Sequence, residues 1–317
     1  MRPQIKLCLT LLTFIAVALF TGCPGNQDHA NTTATTTVSP PPTQVLQILP
    51  RPQTIIDEMK ARGEQDSAHP VLKIVSPADG SVVNGSVVSV RLNLGGDLKG
   101  YQPHKDPATD KGNHIHVILD NEPYEAYYDP GQAFELRNVV AGKHTLRVFP
   151  SRPWHESYKN EGAFQMVMFT VKGGGDAAKP TTTNTGQTMA NNNAGGGSGG
   201  QREGKDMPAS TAVDIDPTKP LLTFSRPKGE YKGEEADPIM IEFWLTNAKL
   251  NGDGGEYRIR YIIDDDEPRF IDKWEPIWLS GWVKGEHIVR LELLGPDRYP
   301  VQNGTFNATT REIIVVK

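Results

Sequence analysis

The chain has 317 residues, of which 22% are charged, and its formal net charge at pH 7 is −5. This small negative charge, with no basic block along the sequence, argues against binding to nucleic acid. The only cysteines are Cys8 and Cys23, so a disulfide framework, a zinc–cysteine site and a cysteine nucleophile are excluded from the rest of the chain. Any domain must therefore be stabilised by core burial alone, which favours domains of about 100 residues or more.

The N-terminal segment has a basic start, an apolar run over 7–20 and the small pair Thr21-Gly22. This pattern predicts a signal peptide over 1–22, because the apolar run is shorter than the about 20 residues of a spanning helix. Cys23 follows at once, and the segment resembles the lipobox of bacterial lipoproteins, with Phe20 in place of the usual leucine. The resemblance implies cleavage before Cys23, lipidation of Cys23, and a protein anchored by lipid in the bacterial cell envelope, facing the periplasm or the cell surface. An ordinary signal peptide ending near Cys23 is the alternative.

Two segments of low complexity separate the chain into parts. Residues 23–70 are rich in Thr, Pro, Asn and Gln and predict a disordered tether, interrupted by one short helix between Gln53 and Arg62. Residues 173–217 contain runs of Gly, Asn and Thr and predict a disordered linker.

The remaining blocks, 71–172 and 218–317, show short alternating apolar runs bounded by Gly, Pro, Asn and Asp. Each block therefore predicts an immunoglobulin-like β-sandwich, and the chain as a whole is expected to be all-β with two tandem domains. The second block is predicted to be a diverged repeat of the first. The matching segments are Gly112–Asp120 with Gly255–Asp264, and Val140–Val148 with Val283–Leu291.

Histidines cluster in the first block. His114 and His116 alternate with Ile115 and Val117, so the apolar residues are expected to face the core and the two histidines to project outward together. Two imidazoles on one strand face can share a metal ion such as copper or zinc, although a stable site needs a third ligand. His155 and His104, in loops, are the candidates for that position. The alternative is a polar exposed face without a metal.

Two further histidines favour a structural role. His144 leads a strand on which Leu146 and Val148 share its face, so it is expected to point into the core. His287 occupies the same place in the second block, where no His-x-His pair exists. We therefore predict that His144 and His287 are packed, hydrogen-bonded turn residues rather than ligands.

The first block also resembles an uncharacterised family of exported bacterial domains, domain of unknown function 4399. The matching features, in order, are Ser76–Gly80, the His114-x-His116 strand with Asp120, the Gly142-x-His144 turn and His155. The family's usual middle histidine is Ile115 here. The resemblance covers nearly all of the first block and implies a histidine-rich β-domain outside the cytoplasm, with no established reaction.

Three tryptophans stand close together in the second block, at Trp274, Trp278 and Trp282. Pro276 and Gly281 argue against a helix through them. Each is interpreted either as core, as expected in a sandwich, or as part of an aromatic platform for sugar rings.

These features favour a membrane-anchored exported lipoprotein that acts as a non-catalytic binding or interaction module. The alternatives are a copper- or zinc-binding protein that uses the His-x-His strand and, more weakly, a carbohydrate-binding module. The expected partners are a membrane, through the N-terminal lipid, and an unidentified protein or glycan. We expect a monomer without an obligatory cofactor. The sequence contains no nucleophile-elbow, zinc-protease or phosphate-loop motif.

Overall fold

A computed structural model describes residues 44–184, 206–207 and 214–317. The predicted signal peptide, Cys23 and part of the predicted linker lie outside these residues. The first described elements are strand β1 (Gln47–Leu49) and helix α1 (Gln53–Ala61). The predicted short helix between Gln53 and Arg62 is thus confirmed.

The strands that follow belong to two sandwiches. In the first they are β2 (His69–Ser76), β3 (Ser81–Asn84), β4 (Val88–Asp97), β5 (His114–Leu119), β6 (Glu125–Tyr127), β7 (Phe134–Arg137), β8 (Gly142–Ser151), β9 (Gln165–Lys172), β10 (Thr181–Asn184) and β11 (Asp206–Met207). In the second they are β12 (Leu221–Arg226), β13 (Gly229–Lys232), β14 (Ile239–Thr246), β15 (Arg258–Ile263), β16 (Arg269–Ile271), β17 (Ile277–Ser280), β18 (Gly285–Leu294) and β19 (Ala308–Val316).

The two sandwiches share one strand order. One sheet runs β3-β9-β8-β5-β6 in the first sandwich and β13-β19-β18-β15-β16 in the second. In both, the first strand of this order, β3 or β13, lies parallel to its neighbour, β9 or β19. The facing sheet contains β7-β4-β2 in the first and β17-β14-β12 in the second. The chain is therefore all-β, with two tandem immunoglobulin-like sandwiches.

Alternation of side chains builds each core. Along β4, for example, Val88, Val90 and Leu92 are buried while the residues between them are exposed, as a strand with one face on a core requires. They meet Ile115 and Val117 of β5 between the sheets. The second core is built in the same way and includes Trp282.

Both low-complexity segments contribute strands to the fold, which corrects the predicted domain limits. Within the predicted tether, β1 pairs antiparallel with β17 of the second sandwich. Within the predicted linker, β10 pairs antiparallel with β7 of the first. β1 and β10 therefore extend the facing sheet of their sandwich at the corresponding edge, next to β17 and β7. Composition alone could not reveal this, because short edge strands are stabilised by the backbone hydrogen bonds of a distant partner rather than by their own side chains.

The sandwiches also pack on each other. Tyr124 and Phe149 of the first form an apolar cluster with Trp244 of the second, and the rings of Phe149 and Trp244 stack at 5.5 Å. Glu242 of the second, fully buried, accepts hydrogen bonds from the backbone N–H of Ser157 at 3.1 Å and from Nζ of Lys159 at 3.2 Å. The contact covers the outer face of the sheet that contains β5, and this positions the site.

Candidate metal centre

His114 and His116 share the outer face of β5, as predicted, but neither is exposed. All six residues of β5 are buried, and the two histidines have 0% exposure. The expectation of an exposed polar face is therefore wrong. The physical reason is tertiary: the second sandwich and the loop after β8 cover a surface that strand parity alone would assign to solvent.

His155 completes a cluster of three imidazoles. Its Nδ1 lies 3.0 Å from Nε2 of His114, and Nε2 of His116 lies 3.0 Å from the same atom. The three nitrogen atoms lie within 4.8 Å of one another. Of the two loop histidines considered from the sequence, the structure thus brings His155 to the pair. His104 has an exposed side chain and is not part of this group.

The loop that carries His155 is held by a network of its own. His155 has a φ of 72°, and its N–H donates to the carbonyl of Arg152 at 2.9 Å. The next residue, Glu156, accepts from Nε1 of Trp154 at 2.8 Å and pairs with the guanidinium of Arg51. Burial raises the pKa of Glu156, but the hydrogen bonds and charges around it, that of Arg51 first, lower it overall. Arg51, which lies between β1 and α1, thus helps to hold the loop that carries His155.

The tautomer of His114 follows from its backbone contact. Its Nδ1 lies 2.8 Å from the carbonyl oxygen of Gly112, and because a carbonyl only accepts, Nδ1 must carry the hydrogen. When the ring is neutral, its lone pair is therefore at Nε2, the atom that faces both other histidines. Such a backbone contact is the usual support of a metal-ligating histidine.

The other two histidines are kept neutral. Burial lowers the pKa of His116 and of His155 well below 6.5. The neighbouring histidines and the positive charges of Arg226 and Lys228 lower both pKa values further. Neutral imidazole is the form that binds a metal ion, so these rings are ready to act as ligands at neutral pH.

Tyr124 lies against the cluster and was missed by the sequence reasoning. Its ring stacks on His116 with 3.7 Å between centroids, and its hydroxyl lies 3.0 Å from Nδ1 of His155. Lys228 of the second sandwich donates from Nζ to the carbonyl of Tyr124 at 2.6 Å. In the sequence, a tyrosine after the turn of the His-x-His hairpin is only a weak indication of a site residue. Its contacts with the second sandwich leave no trace in the local sequence pattern.

The donor set suits a divalent first-row ion. Three imidazoles with room for a fourth ligand are typical of zinc, and imidazole also suits copper. Bonds of about 2.0–2.1 Å in tetrahedral geometry place ligand nitrogens about 3.3 Å apart, and the two contacts at His114 are 3.0 Å. The third pair, His116 and His155, is within 4.8 Å, so these two rings would have to move closer together to meet an ion, while the chemistry of the three donors fits a metal.

His144 and His287 lie away from this cluster in equivalent positions. Nδ1 of His144 lies 2.8 Å from Asp120, and its Nε2 lies 2.9 Å from the carbonyl of Val140. His287 makes the same two contacts, at 2.8 Å with Asp264 and at 2.9 Å with the carbonyl of Val283. Both rings thus bridge a turn to a strand. Asp120, which follows the strand of the histidine pair, is engaged here rather than at the cluster.

The three tryptophans do not form a common platform. Trp282 is 1% exposed and donates from Nε1 to the carbonyl of Leu279, inside the second core. Trp278 is buried with Arg51 over its ring, whereas Trp274 is partly exposed and packs edge-on against Trp244. Trp274 and Trp278 do line one cleft of about 460 Å³ between the sandwiches, but Trp282 takes no part in it.

Comparisons with known proteins identify no family for this chain. No family model matches it, and no curated protein matches it. Among solved structures, fibronectin(III)-like modules of CbhA from Clostridium thermocellum align over 77% of this chain and 94% of that chain, with 10% identity and a TM-score of 0.24. The D00-D0 domain of Intimin aligns over 78% and 100%, with 10% identity and a TM-score of 0.20. The central fibronectin-III array of RIM-binding protein aligns over 79% and 69%, with 9% identity and a TM-score of 0.21. Such low identities and scores assign no ligand or activity to this chain.

Within the residues that the structure describes, no helix combines the length and the apolar character needed to cross a membrane.

Proposed function

We propose that this protein is an exported, lipid-anchored metal-binding protein. Its first sandwich binds one copper or zinc ion through Nε2 of His114, Nε2 of His116 and Nδ1 of His155. The sequence left this function as an alternative to a general interaction module. The geometry of the buried cluster now favours it.

One observation carries the proposal: Nε2 of His114 lies 3.0 Å from a ring nitrogen of each of the two other histidines. With Nδ1 directed at the carbonyl of Gly112, Nε2 is the ring atom of His114 that faces both other histidines, and a single imidazole nitrogen cannot make two linear hydrogen bonds at once. A cation at the centre removes this conflict, because all three lone pairs then point at the ion.

The surroundings favour binding over catalysis. Two carboxylates close in sequence to the histidines are engaged elsewhere: Asp120 with His144, and Glu156 with Arg51. A catalytic metal site also needs an open position for substrate, whereas His114 and His116 are fully buried. A closed site of this kind suits storage, transfer or structural use of the ion.

The location is proposed from the N-terminal sequence. Cleavage before Cys23 and lipidation of its thiol and new amine would hold the protein in the cell envelope. The relation to domain of unknown function 4399 stays a prediction in the same way. Both rest on the residues already described and not on the fold.

Metal content is the direct test. Protein purified from the envelope fraction should contain about one equivalent of copper or zinc by elemental analysis, and the metal-free protein should recover it on titration. Replacing both His114 and His116 by alanine should reduce affinity by more than the about 10–100-fold that is typical of losing an outer-shell partner.

His104→Ala is the matched control, because this exposed loop histidine lies outside the cluster. It should bind metal as the wild type does. Equal uptake by the double variant and the wild type would rule out the proposed site, as would a wild-type protein that takes up neither metal.

The anchor has a separate test. Cys23→Ser should release the protein from the membrane fraction and abolish labelling with a fatty-acid analogue. Membrane retention of this variant with an uncut N-terminus would mean that the segment acts in another way.

A further inference from the structure

The two sandwiches contact each other through unlike faces. Arg147 of β8 donates to Oγ1 of Thr223 of β12 at 2.7 Å. Leu221 of β12 belongs to an apolar cluster against which Met166 and Met168 of β9 pack. The outer face of β8 and β9 in the first sandwich therefore packs on the outer face of β12 in the second. A contact of this head-to-tail kind uses different faces of the two domains.

The repeat identifies the two faces that this contact does not use. β2 and β4 correspond to β12 and β14, because both pairs are antiparallel and shift register at the matching place, between Ile74 and Ser76 and between Phe224 and Arg226. β18 and β19 correspond to β8 and β9 in sheet order. The outer sides of β2 and of the first half of β18 are exposed. Each sandwich thus has one open sheet face.

The open face of the first sandwich is apolar and positive. Val71 and Val75 of β2 are 41% and 42% exposed, and Lys73 lies between them. Arg91, on the neighbouring strand β4, pairs in register with Ser76 and is exposed. Neither cation forms an ion pair within the part of the chain that the structure describes. We call Val71, Lys73, Val75 and Arg91 the β2 face.

The open face of the second sandwich is apolar and negative. Ile288 of β18 and Ile314 of β19 are 48% and 43% exposed. Glu312 lies opposite Ile288, and Glu286 lies opposite Ile314, so apolar and acidic side chains alternate. Both glutamates are exposed, and among the described residues neither has an ion-pair partner. We call these four residues the β18 face.

We infer that the β2 face of one copy binds the β18 face of another, so that the protein associates with itself head to tail. Two cations beside two valines meet two glutamates beside two isoleucines, and such complementarity of charge selects a partner. The partner is a second copy because both halves of the contact lie on this one chain, in which unlike sheet faces already pack on each other.

The contact has a consequence for assembly. A heterologous contact leaves each copy with one free face, so it continues from copy to copy and builds a ring or an open filament. This differs from the monomer that the sequence led us to expect. The inference does not depend on metal binding.

Charge also determines how the copies are placed. Lys73 occupies the position of Thr223 in the repeat, and Arg290 occupies that of Arg147. An exact repeat of the internal contact would therefore bring Lys73 to Arg290, which have like charges. Glu312 lies two residues along β19 from the partner of Arg290, so a displacement of about 7 Å along the strands brings Lys73 to a carboxylate instead.

Sedimentation velocity tests the association on the Cys23→Ser protein, which has no thiol for a lipid. At low salt the average sedimentation coefficient should increase with protein concentration, and this increase should be lost at high salt because exposed charges are screened. Glu286→Lys with Glu312→Lys should remain monomeric, and so should Lys73→Glu with Arg91→Glu. Mixing the two double variants should restore association, because each offers the charges that the other needs. Circular dichroism should show an unchanged fold in both.

Glu64→Lys with Glu256→Lys is the matched control. It changes the charge by the same amount at two exposed positions outside both faces and should associate as the wild type does. A wild type that stays monomeric at every concentration, double variants that still associate alone, or a mixture that stays monomeric would overturn the inference.

Crosslinking in the cell envelope identifies the occupant of the β18 face. A photo-crosslinking amino acid in place of Ile288 should give a product of two copies of this chain. A product with a different protein, and none with a second copy, would also overturn the inference. None of these outcomes bears on the proposed metal site.

Discussion

His144 and Asp120 form a buried pair in which both ring nitrogens of the histidine face an acceptor. Nδ1 lies 2.8 Å from Oδ2 of the carboxylate, and Nε2 lies 2.9 Å from the carbonyl of Val140. The other oxygen of Asp120 accepts from the backbone N–H of Thr145 at 2.9 Å. A ring between two acceptors is best satisfied when it carries both protons.

The stability of the protein should therefore decrease as His144 loses its proton. Burial lowers the pKa of His144, but the hydrogen bond and charge of Asp120 outweigh it and raise the pKa above 6.5. A raised folded-state pKa contributes stability that is complete below 6.5 and is lost as the pH rises through the folded value. Urea unfolding between pH 6 and pH 9 should show this decrease in the wild type and not in His144→Gln. His69→Gln, at an exposed histidine, should keep it; a decrease retained in His144→Gln would assign it to another group.

On the acid side, the cluster of His114, His116 and His155 should make the stability decrease as the pH falls. Burial first, then neighbouring histidines and cations, holds the pKa of His116 and of His155 below 6.5. Below pH 6.5 the unfolded chain gains protons at these positions and the folded chain does not, so metal-free protein should lose up to about 1.4 kcal/mol per pH unit for each ring. His116→Phe should remove about one proton from this slope, measured by urea unfolding from pH 7 to pH 5. His104→Phe should leave it unchanged, and equal slopes in the two variants would contradict the assignment.

Glu242 should be a principal contact between the two sandwiches. It is fully buried and pairs with Lys159, whose side chain is 17% exposed. Glu242→Ala leaves that cation and the N–H of Ser157 without this acceptor, and such a loss typically costs about 3–5 kcal/mol. Chemical denaturation should show the cost, with the two sandwiches unfolding less cooperatively. Glu230→Ala, at an ion pair with Lys232 on the surface, should cost less than about 1 kcal/mol; a similar cost for both variants would argue against this role.

Arg51 should influence metal affinity although it is not a ligand. Its guanidinium holds Glu156, which follows His155 in the loop. Arg51→Ala should loosen that loop and weaken metal binding by about tenfold, the low end of the about 10–100-fold effect of supporting residues. Competition titrations with a chelator, well below the melting temperature, would measure the change. Arg137→Ala, which removes an exposed pair with Glu135, should have no effect, and an unchanged affinity in Arg51→Ala would exclude a positioning role.

The sequence predicts the architecture better than the surroundings of the site. Periodicity alone places Ile115 and Val117 in a core and His114 and His116 on the opposite face, because strand geometry is local. It also shows the equivalence of His144 and His287, which rests on a repeated local pattern. Burial of the histidine pair depends on a second domain, and the contact of Lys228 with Tyr124 joins residues 104 positions apart. Local patterns contain no information on such a contact.

The tether illustrates the same limit. Its Thr- and Pro-rich composition correctly indicates low apolar content, yet Leu46 is buried in the second core and its carbonyl accepts from Arg269 at 2.8 Å. Few apolar residues suffice where the partner sheet is already formed. Composition averaged over tens of residues cannot reveal a strand of only three residues such as β1.

Because β1 pairs with β17, the segment between the sandwiches is not the only connection that keeps them together. Strand β1, which precedes the first sandwich, pairs with the edge of the second. Glu242 and Tyr124 make further hydrogen bonds between the two sandwiches. A protease cut between 185 and 205 would therefore leave two fragments that hold together without a covalent bond. The two sandwiches are held together by non-covalent contacts, so their association should not require an intact linker.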